Sequence, residues 1–137
     1  MLAAPEALEL AASAPVGRIV HVLDDRLSVA PINFRLDGQD VLMRTADGTE
    51  LLAAARRQAP AALQVDNIVD WSRSGWSVLI RGHLVEVTDP GAVERVLSSG
   101  LLPWSGGARD HVVRLSGDEV TGRRIDPGRG VISVIRL

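Results

Sequence analysis

The stretch VAPINFRLDGQDVLMRTADGTELL, residues 29–52, decides the fold. Residues 27–35 are predicted to form a strand. Asp37-Gly38 then signals a tight hairpin, because both residue types tolerate a positive φ, and residues 41–45 are the returning strand. Pro31 has no N–H to give to a ladder, so the first strand has an edge, a bulge or a ligand there. Residues 46–48 form a loop, and Thr49 is an N-cap for a helix over residues 50–58. Leu51, Leu52 and Ala55 of that helix face the core, and Pro60 stops it. The N–H groups of a helix start favour an anion. Arg44 with the hydroxyls of Thr45 and Thr49 would complete a phosphate pocket. The same residues also suit an ordinary capped helix beside a surface Arg.

Working outward, residues 5–14 read as a short helix, with Pro5 in its first turn and Glu6 and Glu9 towards its positive end. Residues 18–23 are a strand ending in the turn Asp24-Asp25. Another strand starts at residues 62–65, and residues 70–75 are polar and turn-like. Residues 76–87 carry the longest strand signal, with Gly82 at a bulge or a close approach. A short helix over residues 93–98 follows Asp89-Pro90-Gly91. Residues 100–109 connect it to strands at 111–115 and 119–125. The apolar end VISVIRL, residues 131–137, is a further strand or a tail covered by a partner. Hairpins come first and no regular β-α-β alternation follows. This favours an antiparallel barrel with helices outside over a doubly wound sheet. No repeat or linker divides the chain, so residues 1–137 are expected to be one domain.

Composition removes several function classes. Hydrophobic residues make up 46% and charged ones 23%, the balance of a folded globular chain. Fifteen basic residues against seventeen acidic ones leave no polybasic footprint, so no nucleic-acid partner is expected. The four aromatics, Phe34, Trp71, Trp76 and Trp104, are too few for base-stacking platforms. The absence of Cys excludes disulfides, thiolate metal sites and cysteine nucleophiles, and agrees with a cytoplasmic location. Every basic residue is Arg, so neither a Schiff-base lysine nor a P-loop lysine exists. Charges, Gly or Pro interrupt every apolar run, so no membrane span is expected. Residues 1–14 contain no basic residue, unlike a secretory signal.

Other motifs admit two roles each. Trp76 beside Ser77 suits the wall of a flat aromatic ligand or a core position on a half-buried strand. Arg81 suits an anion, or an ion pair with Glu86 or a neighbouring strand. Arg109, Arg114, Arg123 and Arg124 suit an anion site or solvated strand edges. His21, His83 and His111 lie on different strands with no i, i+4 pair, so they are expected to be half-buried strand residues rather than metal ligands. Asp24, Asp25, Asp37, Asp40 and Asp47 fall at turns. No nucleophile elbow, dinucleotide fingerprint or triad is visible, and no catalytic residue is assigned.

The blocks VGRIVHV, SVAPINFRLDGQDVLMRTADGTELL, GWSVLIRGHLVEVTDP and LPWSGGARDHVVRLSGDEVTGRRI follow one another over residues 10–125. In order and spacing they resemble the FMN-binding split-barrel family related to pyridoxamine 5'-phosphate oxidase. The similarity is to its short, actinobacterial-type branch, not to true pyridoxamine phosphate oxidase. The resemblance implies a mainly β fold, a six-stranded antiparallel split β-barrel with flanking helices. It also implies a homodimer with a flavin, FMN, at each of two interface sites. The backbone of Pro31, Ile32 and Asn33 would run along the isoalloxazine ring. Arg44 and Thr45 would reach the ribityl phosphate, and Thr49 with the helix start would hold it too. Trp76 and Ser77 would come from a second interface strand, across the dimer. Relatives in that family carry a Lys where this chain has Glu50. The exchange places negative charge beside a phosphate, and repulsion at about 4 Å is worth ~1 kcal/mol in water and several times more in a drier site. Arg44, the helix dipole, or Arg56 and Arg57 would offset it, unless Glu50 points away and merely favours the helix start. The implied function is an FMN-dependent oxidoreductase acting on an unidentified small molecule. The alternatives are a module that binds deazaflavin F420, FMN or haem without turnover, and a cofactor-free structural dimer.

Overall fold

The computed structural model describes residues 2–14, 16–69, 74–101, 111–126 and 133–136. The helix α1 (Ala4–Ser13) precedes a hairpin of β1 (Val16–Leu23) and β2 (Arg26–Asn33). A second hairpin, β3 (Arg35–Asp37) and β4 (Asp40–Thr45), leads into α2 (Glu50–Arg56). Then come β5 (Pro60–Val69), the long β6 (Ser74–Val87), α3 (Pro90–Leu97), β7 (His111–Leu115), β8 (Glu119–Asp126) and β9 (Ser133–Arg136).

Local chemistry explains the turns. Asp24 and Asp25 both have positive φ, 51° and 60°, which a two-residue hairpin turn demands and Asp tolerates. In the second hairpin the central pair is Gly38-Gln39, one residue later than expected, with Gly38 at φ 62°. Asp37 therefore faces Asp40, and Arg114 bridges both carboxylates at 3.0 Å each. Thr49 caps α2 as expected: its Oγ1 accepts from the Leu52 N–H at 3.2 Å. The helix ends at Arg56 rather than at residue 58, and Pro60 opens β5.

The strands pair antiparallel in the order β2-β1-β5-β6-β7-β4-β3, with β8 on β6 and β9 on β8. The mainly β, antiparallel split-barrel class is the expected one. The strand count is nine among the described residues, not six. The strand expected over residues 27–35 is interrupted at Phe34, where the chain leaves β1 as a partner and takes up β4. The chain end adds β9, which settles part of the apolar tail as a strand. Trp71, Trp104, Arg109 and most of the connection at residues 100–109 lie outside the described residues.

The core is filled by Met43, Leu52, Leu63, Ile80, Leu84 and Leu115, all less than 2% exposed. Helix α2 buries Leu51, Leu52, Ala54 and Ala55 against it. Strand β6 keeps β5 along one edge and changes partner on the other, from β8 at Gly75–Arg81 to β7 at Leu84–Val87. The change falls at Gly82. There the Ser116 N–H bonds the His83 carbonyl at 2.9 Å, and the Ser116 hydroxyl accepts from the His83 N–H at 2.9 Å. A Cβ on Gly82 would collide with the Ser116 carbonyl oxygen. Gly82→Ala is therefore expected to destabilise the protein by about 1–3 kcal/mol through backbone overpacking. Thermal unfolding followed by circular dichroism measures this; an unchanged Tm would refute the close approach.

Candidate functional site

A cavity of about 510 Å³ opens where β1, β2, the end of β4 and the start of α2 meet. Register fixes its wall. Ile19 and His21 of β1 stand opposite Ala30 and Ser28 of β2, and alternate strand positions share a face. All four line the cavity. Ile32 and Leu51 extend the apolar side, and Arg44, Thr45, Thr49 and Glu50 supply the polar one.

The polar side is built from the strand–helix junction. The Thr49 hydroxyl donates to the Ala46 carbonyl at 3.1 Å and lies 2.7 Å from the Thr45 hydroxyl. With its own proton committed, Thr49 accepts from Thr45. Arg44 is tethered as well: its Nη1 donates to the Leu101 carbonyl at 2.7 Å.

Glu50 does not point away. It lines the cavity, accepts from the Ser28 hydroxyl at 2.7 Å, and lies 3.6 Å from an Arg26 guanidinium nitrogen. Its carboxylate is thus partly countered from β2. Arg56 and Arg57 do not approach it, because Arg56 pairs with Glu86 at 2.9 Å and Arg57 with Asp24 at 2.6 Å. Arg26 is the cation that reasoning from sequence missed. The signal was present, since the Asp24-Asp25 turn puts Arg26 on the same face as Ser28.

His21 is the other residue that pattern reading undervalued. It is 4% exposed rather than half-buried. Its Nδ1 is sealed from solvent with no hydrogen-bond partner among the described residues. Burial pushes its pKa below the ordinary histidine value, against the pull of the Glu50 charge. Nothing in the run Ile19-Val20-His21-Val22 marks the polar residue as the buried one; strand alternation with Ile19 puts it inside.

Of the nine residues implied by resemblance, the cavity brings together Pro31, Ile32, Arg44, Thr45, Thr49 and Glu50. Asn33, Trp76 and Ser77 do not line it. Trp76 is buried in the core, the second of the two roles its strand position allowed. Ser77 lies on the opposite face of β6, where its hydroxyl accepts from Gln64 at 3.2 Å. Arg81 takes the ion-pair role, with Glu119 of β8 at 3.3 Å. Arg114 is held by its two turn carboxylates, and Arg124 pairs with Glu6 at 2.8 Å. No group of three metal-ligating side chains occurs among the described residues, and no helix among them is long and apolar enough to cross a membrane.

The loop before Thr49 is braced from outside. His111 Nε2 lies 2.6 Å from Asp47, and its Nδ1 lies 3.1 Å from Glu86. Glu86 also accepts from Arg56 of α2. Four elements are tied together beside the cavity: the loop, β7, β6 and α2.

A curled antiparallel sheet with flanking helices and a cavity at a strand–helix junction is the architecture of split-barrel proteins. A family model described as pyridoxamine 5'-phosphate oxidase matches residues 3–124, and the chain belongs to that family. The uncharacterised protein Rv0080 of Mycobacterium tuberculosis is 35% identical over 124 residues, covering 88% of this chain and 81% of that protein. The structure of the FAD binding protein from Mycobacterium smegmatis is similar at 35% identity and a TM-score of 0.74, covering 90% of this chain and 95% of that one. A FAD-binding protein from Mesorhizobium loti shares the fold, with a TM-score of 0.71 at 19% identity, covering 91% of this chain and 96% of that one.

The bracing network predicts a pH-dependent stability. The hydrogen bond from Arg56 is the main reason that the Glu86 carboxyl titrates below its ordinary value near 4.5, helped by His111 and opposed by burial. A carboxyl with a depressed folded-state pKa contributes stability above its unfolded pKa and loses it as pH falls through the folded one. Glu86→Gln is expected to lower Tm at neutral pH, with a deficit that shrinks in acid below the ordinary carboxylate range. A deficit of equal size at both pH values would remove the charge from the explanation.

Proposed function

We propose that this chain binds a flavin nucleotide, with the FMN moiety in the cavity between β2, β4 and α2. One observation carries the proposal: Arg44, Thr45 and Thr49 converge with an apolar wall of Ile19, Ile32 and Leu51 in a single cavity. A guanidinium with two hydroxyls, whose protons can rotate to suit a new partner, beside apolar surface suits a phosphate ester with a flat aromatic head. The FMN moiety is common to FMN and FAD, and FAD is what the Mycobacterium smegmatis relative binds by its name. Glu50 weakens the site for an anion, and Arg26 offsets part of that charge. When bound, the flavin supplies the redox chemistry, and the chain binds, orients and shields it. We infer an oxidoreductase role towards a small molecule; a hydride transfer needs no acid or base from the chain, in keeping with the absence of a triad motif.

We also propose a homodimer. The outer face of the β1–β2 hairpin exposes Leu27 at 70%, Val29 at 64% and Val22 at 38%. Register pairs Val22 with Leu27 and Val20 with Val29, so these side chains form one apolar patch on an edge hairpin. A second copy of the same patch is a self-complementary cover. Ser77 shares this face through Asp66 and Gln64, and Trp76 does not.

The visible spectrum of the purified protein, before and after adding FMN or FAD and desalting, tests the first proposal. A retained flavin band is expected, with Arg44→Ala binding about ten- to a hundredfold more weakly through loss of charged hydrogen bonds. A protein that retains neither flavin overturns the reading, and retention of F420 alone would replace flavin by the deazaflavin. Light scattering is expected to give twice the chain mass for the wild type and the single-chain mass for Leu27→Glu. A monomeric wild type would refute the dimer.

A further inference from the structure

Every other polar group of the cavity has a visible reason for its placement. Thr45 and Thr49 hold the loop, Arg44 is tied to Leu101, and Glu50 is held by Ser28. His21 has none. It is a buried titratable residue on the cavity wall whose Nδ1 meets no partner among the described residues. A sealed Nδ1 is tolerable as a bare lone pair, so the group that needs an explanation is the other ring nitrogen, Nε2, which also meets no hydrogen-bond partner among the described residues.

We propose that His21 is a ligand-contacting residue that donates a hydrogen bond from Nε2, as a neutral imidazole, to a phosphate oxygen of the bound nucleotide. The inference rests on the flavin proposal and deepens it. Nδ1 is sealed, so Nε2 is the nitrogen able to meet a molecule in the cavity. A neutral imidazole carries one N–H and one lone pair. A sealed lone pair is less costly than a sealed N–H, because unpaired buried donors are the rarer case. That places the hydrogen on Nε2, facing the cavity. Protonation would put a second N–H on the sealed Nδ1. The charged residues of the cavity are Glu50 from α2, Arg44 from β4 and Arg26 from β2; of these Glu50 acts on the ring's titration, and its β5 neighbour is the uncharged Ala61. Burial outweighs the Glu50 charge in setting the direction of its pKa, which keeps the ring neutral.

The phosphate is the expected acceptor because of position. His21 stands across from Ser28, Ser28 holds Glu50, and Glu50 follows the capping Thr49. This places His21 on the Glu50 side of the junction, in the cavity that Arg44 and Thr45 also line. A neutral donor there strengthens an anion site without asking Glu50 to move.

The test compares FMN with riboflavin, which lacks the phosphate, on the full chain. Flavin fluorescence quenching gives both affinities for the wild type, His21→Phe and His21→Gln. Expected are an approximately tenfold loss of FMN affinity in His21→Phe, the worth of one hydrogen bond, and partial recovery in His21→Gln, which keeps a donor. Riboflavin affinity should be the same in all three. A second measurement needs no variant: imidazole nitrogen shifts of the wild type should show hydrogen on Nε2 and none on Nδ1 at neutral pH, with Nε2 shifting on addition of FMN. Unchanged FMN affinity in His21→Phe, an equal loss for riboflavin, or an Nε2 signal insensitive to FMN overturns the proposal while leaving flavin binding intact. A wild type that binds neither FMN nor FAD overturns both.

Discussion

The structure depends on one covalent constraint. β2 and β3 stand at opposite ends of the hydrogen-bonded strand order, yet Phe34 alone separates them in the chain. A flat sheet cannot satisfy this, because seven strands at about 4.8 Å spacing would put its ends nearly 30 Å apart. The sheet must curl until its first and last strands meet. It then closes through the backbone at Phe34 without a ladder between β2 and β4. Those two strands approach one another but exchange no register. The cavity opens along this split, where a free strand edge, the end of β4 and the start of α2 come together. An alternative in which β2 paired with β4 would close the barrel and remove the cavity.

What was legible in the sequence was local. Asp24-Asp25, Gly38 and the Thr49 cap act within a few residues and declare themselves by residue type. Gly82 announced a close approach, although the sequence did not name Ser116 as the neighbour. The illegible features are all set across strands. Nothing local to β6 says that it exchanges β8 for β7 halfway along. Nothing near residue 34 says that one apparent strand is two. The same holds in the site. Arg44, Thr45 and Thr49 are sequence neighbours and were found together. Arg26, Ser28 and His21 reach Glu50 only through the β1–β2 register and the packing of that hairpin on α2. Arg56 and Arg57 lie nearer to Glu50 in sequence, but at the far end of the helix, where Glu86 and Asp24 claim them.

Charge at the cavity follows from the same geometry. Glu50 is the first residue of α2, where the helix dipole favours a carboxylate, so the fold has a local reason to accept it. Its partner Arg26 is largely exposed, and an exposed pair is screened and worth little. Much of the negative charge therefore remains felt at the cavity, as the influence of Glu50 on His21 shows. An anion entering this site would meet that field along with Arg44. Under such conditions preorganised donors matter more than added cations. The loop that carries Thr49 is held through its Asp47 by His111 and Glu86, so it would need little ordering were a ligand to arrive. The rigidity of this junction comes from side chains that do not line the cavity: His111, Glu86 and Arg56.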